Sequence, residues 1–560
     1  MEFKVFMQAV ENGIDQIKSE AGLREWLKNY ARTIPENDRE GFLKYFEKKE
    51  YHAHEQELEE IIDWCGIVGD GELALSCHGY EEYGDSYWDR DWVTKYDDPY
   101  GLGQKVERFY EIAEQCVYDR DYQTAISIYD ALGTLEIPAY DEDSGDGYDL
   151  SIVELNSEKL TNLDLKRIAS LTLYSQYQIS EPEKRSEEIY KYFYESIYQK
   201  IKIEDMMSAG TEPLEGIDEF MDSWIIYLRK QDHKFTARLL KEAVMYKDGQ
   251  DGLLHEAKRC AVTHPGLFIE VLESFYAAEA WERLAREGQE ALLLMDCDMQ
   301  IRGKAARLAA AGARGIGDKA GEKESYFKAF YSEMSTENYL RLITCDEITK
   351  EDRESAEQLL QKHGKNRAGK LKNSGAYYEE NDKMQYRMTG HNYLELRFLS
   401  GEYKEILSEC KKQQEDLGWS GNFINEGVPM LLMLLCRGGF NGRAMKAIVS
   451  ELEREFGYSQ KYGEPVFENL ICIWKKQVEL DDILASEILS YLQKTIDGRV
   501  AAIVSGGHRN SYYKAARLGA VLGEAEESMG ILRAKERRIH KYFEQFPRHR
   551  AFKEEMKAYN

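Results

Sequence analysis

RFYEIAEQCVYDRDYQTAISIYDAL, residues Arg108 to Leu132, decides how the rest of the chain is read. Phe109, Ile112 and Ala113 mark one helical face, and Tyr122, Ala125 and Tyr129 mark a second, with the polar run Asp119-Arg120-Asp121 between them. Apolar residues at such spacings build an amphipathic helix, and two in succession build a helix pair. In repeat architectures small residues let paired helices approach, and large aromatics fill the groove between pairs. Echoes occur in FLSGEYKEILSEC, with Gly401 and Tyr403, and from Phe275 to Leu294, with Trp281 and Ala291. Ile189, Phe193, Ile197 and Ile201 step by four beside Tyr190, Tyr194 and Tyr198, which predicts a broad-faced helix there.

Only 9 prolines occur in 560 residues. Proline breaks helix interiors, so its scarcity favours long helical tracts. Helix starts are predicted at Thr161-Asn162-Leu163-Asp164, at Ser180-Glu181-Pro182-Glu183 and at Pro265. No series of alternating, β-branched strand segments stands out. The expected fold is all-α, an α-solenoid of stacked antiparallel helix pairs in a degenerate tetratricopeptide style. At roughly 34–45 residues per unit the chain holds about a dozen pairs. Composition divides it into an N-terminal helical segment (1–66), an acidic and aromatic insertion (67–100), helical repeats (101–400) and C-terminal helical repeats with a basic capping end (401–560).

ESYFKAFYSEMSTENYLRL (Glu324 to Leu342) and the ending RNSYYKAARLGAVLGEAEESMG…FPRHRAFKEEM resemble the helical-repeat regions of bacterial SWIM zinc-finger-associated proteins. The likeness covers the last half of the chain and the unit near Phe109. It implies a helical-repeat body and names no catalytic residue. The family's CxCx(n)CxH zinc motif is absent, so no residue here inherits a metal or DNA role from it.

Formal net charge is −28, and residues 1–150 hold 36 acidic against 14 basic side chains. Such a surface repels nucleic-acid phosphates and anionic membranes. From Arg499 onward the balance reverses, with 13 basic and 7 acidic residues. Nine scattered cysteines without a CxxC pair suit reduced thiols, and the expected location is cytoplasmic. The longest apolar run, Val428 to Cys436, is far short of the roughly 20 residues of a membrane span and reads as a buried helix.

Two candidate partner surfaces follow. In the 67–100 insertion Tyr83, Tyr87, Trp88 and Trp92 alternate with Asp89 and Asp91, a pattern suited to a cationic partner segment. The bland alternative is a solvated insertion whose aromatics tuck onto the helices. Near the C-terminus Arg537, Arg538, Lys541, Arg548 and Arg550 mix with Tyr542, Phe543, Phe546 and Phe552, which would suit phosphates and stacked bases. The alternative there is a capping helix with a charged outer face, or a basic tail docked on acidic surface.

Other constellations are weaker. Asp141, Asp143 and Asp146 miss the EF-hand register, because a loop starting at Asp141 puts Gly145 at position 5. His52, His54, Cys65, Cys77 and His78 hold zinc-ligand chemistry at no standard spacing. GIGDKAGEK (Gly315 to Lys323) lacks the phosphate-loop pattern and reads as a turn. Glu256 and Lys258 of HEAK lie on a helix, where the strand-borne nuclease arrangement cannot form. No cofactor and no catalytic set is expected. The leading expectation is a scaffold for a protein or peptide partner. A nucleic-acid-associated subunit working through the C-terminus, and an enzyme of unrecognised class, are the alternatives.

Overall fold

The computed structural model describes residues 9–10, 13–14, 17, 19–35, 39–44, 54–83, 90–141, 145–367 and 384–559. These form mostly helix with one small sheet, and the chain divides into two compact units, Met1–Glu256 and Ala257–Asn560.

In the first unit the helices Leu102–Tyr118 and Tyr122–Gly133 are the pair expected from residues 108–132. Asp121 opens the second helix, its carboxylate accepting from the Thr124 amide. The inward residues Phe109, Ala113, Ala125 and Tyr129 are buried as expected. The helix Glu55–Gly69 packs on this pair, where Trp64 meets Phe109 edge-on at 5.1 Å.

Strand structure is the main departure from the all-α expectation. Four strands, β1 (Leu75–Tyr83), β2 (Arg90–Asp97), β3 (Ile137–Asp141) and β4 (Gly147–Leu150), form one sheet in the order β2-β1-β3-β4. β1 and β2 form an antiparallel hairpin pairing Cys77 with Tyr96 and Tyr83 with Arg90. β1 and β3 run parallel, with Leu75 beside Ala139. The described residues of the 67–100 stretch are thus the end of a helix followed by the strands β1 and β2. Asp141 and Asp146 flank the antiparallel pairing of β3 with β4, where the Asp141 amide donates to the Asp146 carbonyl at 2.8 Å; Asp143 lies outside the described residues.

Two expectations from the sequence fail locally. Ser180 closes the helix Leu165–Ile179 instead of opening the next one, which begins at Arg185. The four-residue stepping from Ile189 to Ile201 gives only the helix Arg185–Tyr190 and a 3-10 turn Lys191–Tyr194. Its aromatics are instead drawn into a cluster with Trp224 and Phe235, where Tyr190 lies 6.0 and 5.3 Å from those rings.

The second unit is a run of helices joined mainly by short turns. Its pairs include Gly266–Ala277 with Trp281–Leu294 and Ile301–Gly315 with Lys319–Ser332, while Thr336–Thr344 packs on Phe467–Gln477. The turn expected within 315–323 is residues 316–318; Asp318 caps the helix Lys319–Ser332, accepting from the Gly321 amide at 2.9 Å. Small residues set the spacing. A Cβ at Gly312 would lie 2.5 Å from the Ala285 nitrogen, and one at Gly288 would lie 2.7 Å from the Ala309 Cβ. The helices 281–294 and 301–315 thus touch backbone to backbone. The run Val428 to Cys436 is buried throughout and belongs to the helix Ile424–Leu435 and its cap. Each such Leu or Met contributes about 1.5–3 kcal/mol on full burial. Among the described residues no helix is long and apolar enough to cross a membrane.

Gly312→Val should force these two helices apart. A loss of at least about 2 kcal/mol in urea denaturation is expected, against under about 1 kcal/mol for Gly390→Ala at the exposed, open start of the helix Gly390–Leu399.

Candidate functional site

The two candidate partner surfaces fare differently once folded. Tyr87, Trp88 and Asp89 lie outside the described residues, whereas Tyr83, Asp91 and Trp92 sit on β1 and β2. In the C-terminal helix Ala534–Gln545, Arg538 is buried and holds Glu526 and Asp497, and Lys541 pairs with Asp497 at 2.7 Å. Arg537 donates to the carbonyls of Leu532 and Arg533. Tyr542, Phe546 and Phe552 are buried against one another instead of standing free to stack on bases. Arg548 and Arg550 remain exposed.

His54, Cys65, Cys77 and His78 do not converge. The buried His54 pairs with Asp119 at 3.1 Å, these four are not brought within ligand distance of one another, and His52 lies outside the described residues. Glu256 is held bidentately by Arg229 at 2.6 and 2.7 Å, and Lys258 by Glu287, so the HEAK residues stabilise packing.

Sequence reasoning missed a feature that both units share: an irregular segment laid on helix faces and held by side chains from below. An irregular backbone has no internal ladder, so each buried carbonyl needs an outside donor. In the first unit, the segment 208–216 lies against the helix Leu165–Ile179. Arg167 donates to the Ala209 carbonyl at 2.7 Å, Tyr174 to that of Glu212 at 3.0 Å, and Tyr177 to that of Glu215 at 2.8 Å. The Glu212 carboxylate is taken by Arg120 and by the Tyr122 hydroxyl. Arg167 is held in place by Glu114 and the Tyr118 hydroxyl.

In the second unit, the segment 456–466 crosses the three helices Gly266–Ala277, Ile301–Gly315 and Thr336–Thr344. From Gly266–Ala277, Glu273 accepts from the Tyr462 hydroxyl at 3.1 Å, and the Tyr276 ring meets Tyr462 edge-on at 5.3 Å. From Ile301–Gly315, Arg314 donates to the Tyr462 carbonyl at 3.0 Å, and Arg307 grips the Glu464 carboxylate at 3.1 and 3.2 Å. From Thr336–Thr344, Arg341 reaches the same carboxylate at 3.0 Å and the Ser459 carbonyl at 2.9 Å. The segment bends through positive φ at Tyr462 and Gly463, 53° and 70°. Only glycine takes that conformation freely, which fits Gly463 over the Arg314 guanidinium.

Glu464, Arg307 and Arg341 are all buried, at 2%, 6% and 2% exposure, so their charges are shielded from water and each depends on the others. Glu395, which accepts from Thr336 at 2.6 Å, has its pKa raised to about 7, chiefly by burial. Glu333 is raised for the same reason. In both segments the held acid precedes a proline: Glu212-Pro213 and Glu464-Pro465. The chain matches no family model, no curated protein and no solved structure.

Removing Glu464 as Glu464→Gln leaves two guanidiniums short of a buried counter-charge. A cost of about 3–5 kcal/mol is expected in urea denaturation. Glu395 holds its proton in the folded protein at a pH where the unfolded chain has lost it. Stability therefore declines as pH rises from about 4.5 through 7. The Tm of Glu395→Gln should lack this decline and exceed that of the parent at pH 8, as differential scanning fluorimetry across pH 5–8 would record.

Proposed function

We propose that the protein is a binding scaffold, a stack of helix pairs in the tetratricopeptide style whose helix faces hold extended segments of partner proteins. One observation carries this reading: twice, in separate units, a helix face holds an irregular segment through side chains that donate to its carbonyls and clamp a glutamate before a proline. Donation to carbonyls is indifferent to sequence, and an arginine on a carboxylate adds selectivity. Together they are the chemistry of peptide recognition. Partner segments are expected to be extended and to carry glutamate before proline. The kinship with the helical body of SWIM-associated proteins is part of this reading. Glu337 and Arg341, inside the resembling stretch Glu324 to Leu342, are residues of the clamp.

A nucleic-acid role has less support. Arg538 and Lys541 are committed to Glu526 and Asp497, and the neighbouring aromatics are buried.

The test frees the face. Residues 458–464 are replaced in the full chain by a glycine-serine stretch of equal length, and a labelled peptide of residues 456–466 is added back. Saturable binding by fluorescence anisotropy is expected, weakened at least tenfold when the peptide's glutamate becomes glutamine. A protein that stays helical by circular dichroism yet shows no binding, or binds both peptides equally, would refute the reading.

A further inference from the structure

Within the second unit, the last turns of the helices Ile424–Leu435 and Phe467–Gln477 border a cavity of about 590 Å³. That volume suits a small organic molecule, since ligand pockets span roughly 300–1,000 Å³. Its walls are apolar, supplied by Leu434, Leu435, Val478, Leu480, Ala485 and Met529. Its charged groups are all cations: Arg437, Lys475 and Lys476. No carboxylate lines it among the described residues.

Lys475 is the central group. Its ammonium donates to the Leu434 carbonyl, and among the described residues no carboxylate pairs with it. An ammonium has three donors, so hydrogens are left for a further acceptor. Burial lowers its pKa to about 8, the neighbouring Cys436 thiol opposing the shift and the Arg437 charge adding to it. At neutral pH a mostly charged amine therefore sits among leucines without a counter-ion, an arrangement that costs free energy until an anion arrives.

Two local features oppose an anion, and neither outweighs the cations. Each helix C-terminus carries roughly half a negative charge. Asp482 lies 3.5 Å from Arg437, but its side chain is 97% exposed and water screens it.

We propose that this cavity binds a small organic anion with an apolar body, a carboxylate on an alkyl chain, with its charged end at Lys475 and its chain against Leu435, Leu480 and Met529. This site is separate from the segment-holding face, so the two readings fail independently.

Isothermal titration of the full chain with octanoate, octanol and octylamine at pH 7 tests it. Octanoate should bind at one site at least tenfold more tightly than octanol, and octylamine should not bind. Lys475→Met keeps the apolar stem and should weaken octanoate at least tenfold. The unmodified protein gives a second measure that needs no variant. As Lys475 loses its proton between pH 7 and pH 9, while octanoate stays ionised, affinity should fall about tenfold. Octanol binding as tightly as octanoate, or octanoate affinity unchanged by pH or in a folded Lys475→Met protein, would overturn the proposal.

Discussion

A carbonyl laid across a helix face must find a donor, because the helix has spent its own amides internally. That requirement organises the sites in both units. Arg167, Tyr174 and Tyr177 meet it in the first, and Arg314 and Arg341 meet it in the second. Each donor must itself be held at the right height, which is why Arg167 is braced by Glu114 and why Arg341 shares Glu337 with Arg307. Long polar side chains in a mainly helical protein are usually left to solvent; here several are buried to carry the irregular parts of the chain.

The close spacing of the helices serves the same end. Gly312 against Ala285 and Gly288 against Ala309 draw two helices together. With small residues on the sides that meet, the long side chains Arg307 and Arg314 of the helix Ile301–Gly315 remain to reach the segment 456–466. An alanine-rich helix with widely spaced arginines thus does two jobs, packing with its small residues and gripping with its large ones.

Much of the helical content could be read from the sequence, because the information is local. The pair at 102–133, the turn at 316–318 and the buried run at 428–436 follow from periodicity, capping and apolar length. The sheet could not be read that way. Among the β1 residues whose side chains are described, Leu75 and Cys77 alone are buried, and the pairing with β3 joins positions about sixty residues apart. The stepping from Ile189 to Ile201 misled for a related reason. Its aromatics are claimed by Trp224 and Phe235, and such tertiary demand overrides a helical period. The clamp residues were invisible as a group. Arg307, Arg341 and Glu464 are scattered along the chain, and in a sequence with 31% charged residues three more attract no notice.

The parallel pairing of β1 with β3 has a kinetic consequence. Hairpins such as β1–β2 and β3–β4 close small loops and form in microseconds. The strands at the middle of the sheet can meet only after the helices Leu102–Tyr118 and Tyr122–Gly133 between them have folded back. Closing so large a loop carries an entropy cost that no neighbouring contact offsets in advance. The join between Leu75 and Ala139 is therefore a late event in the folding of the first unit. Until it forms, each hairpin presents an unpaired edge to other copies of the chain, and that interval is when this unit is most exposed to aggregation.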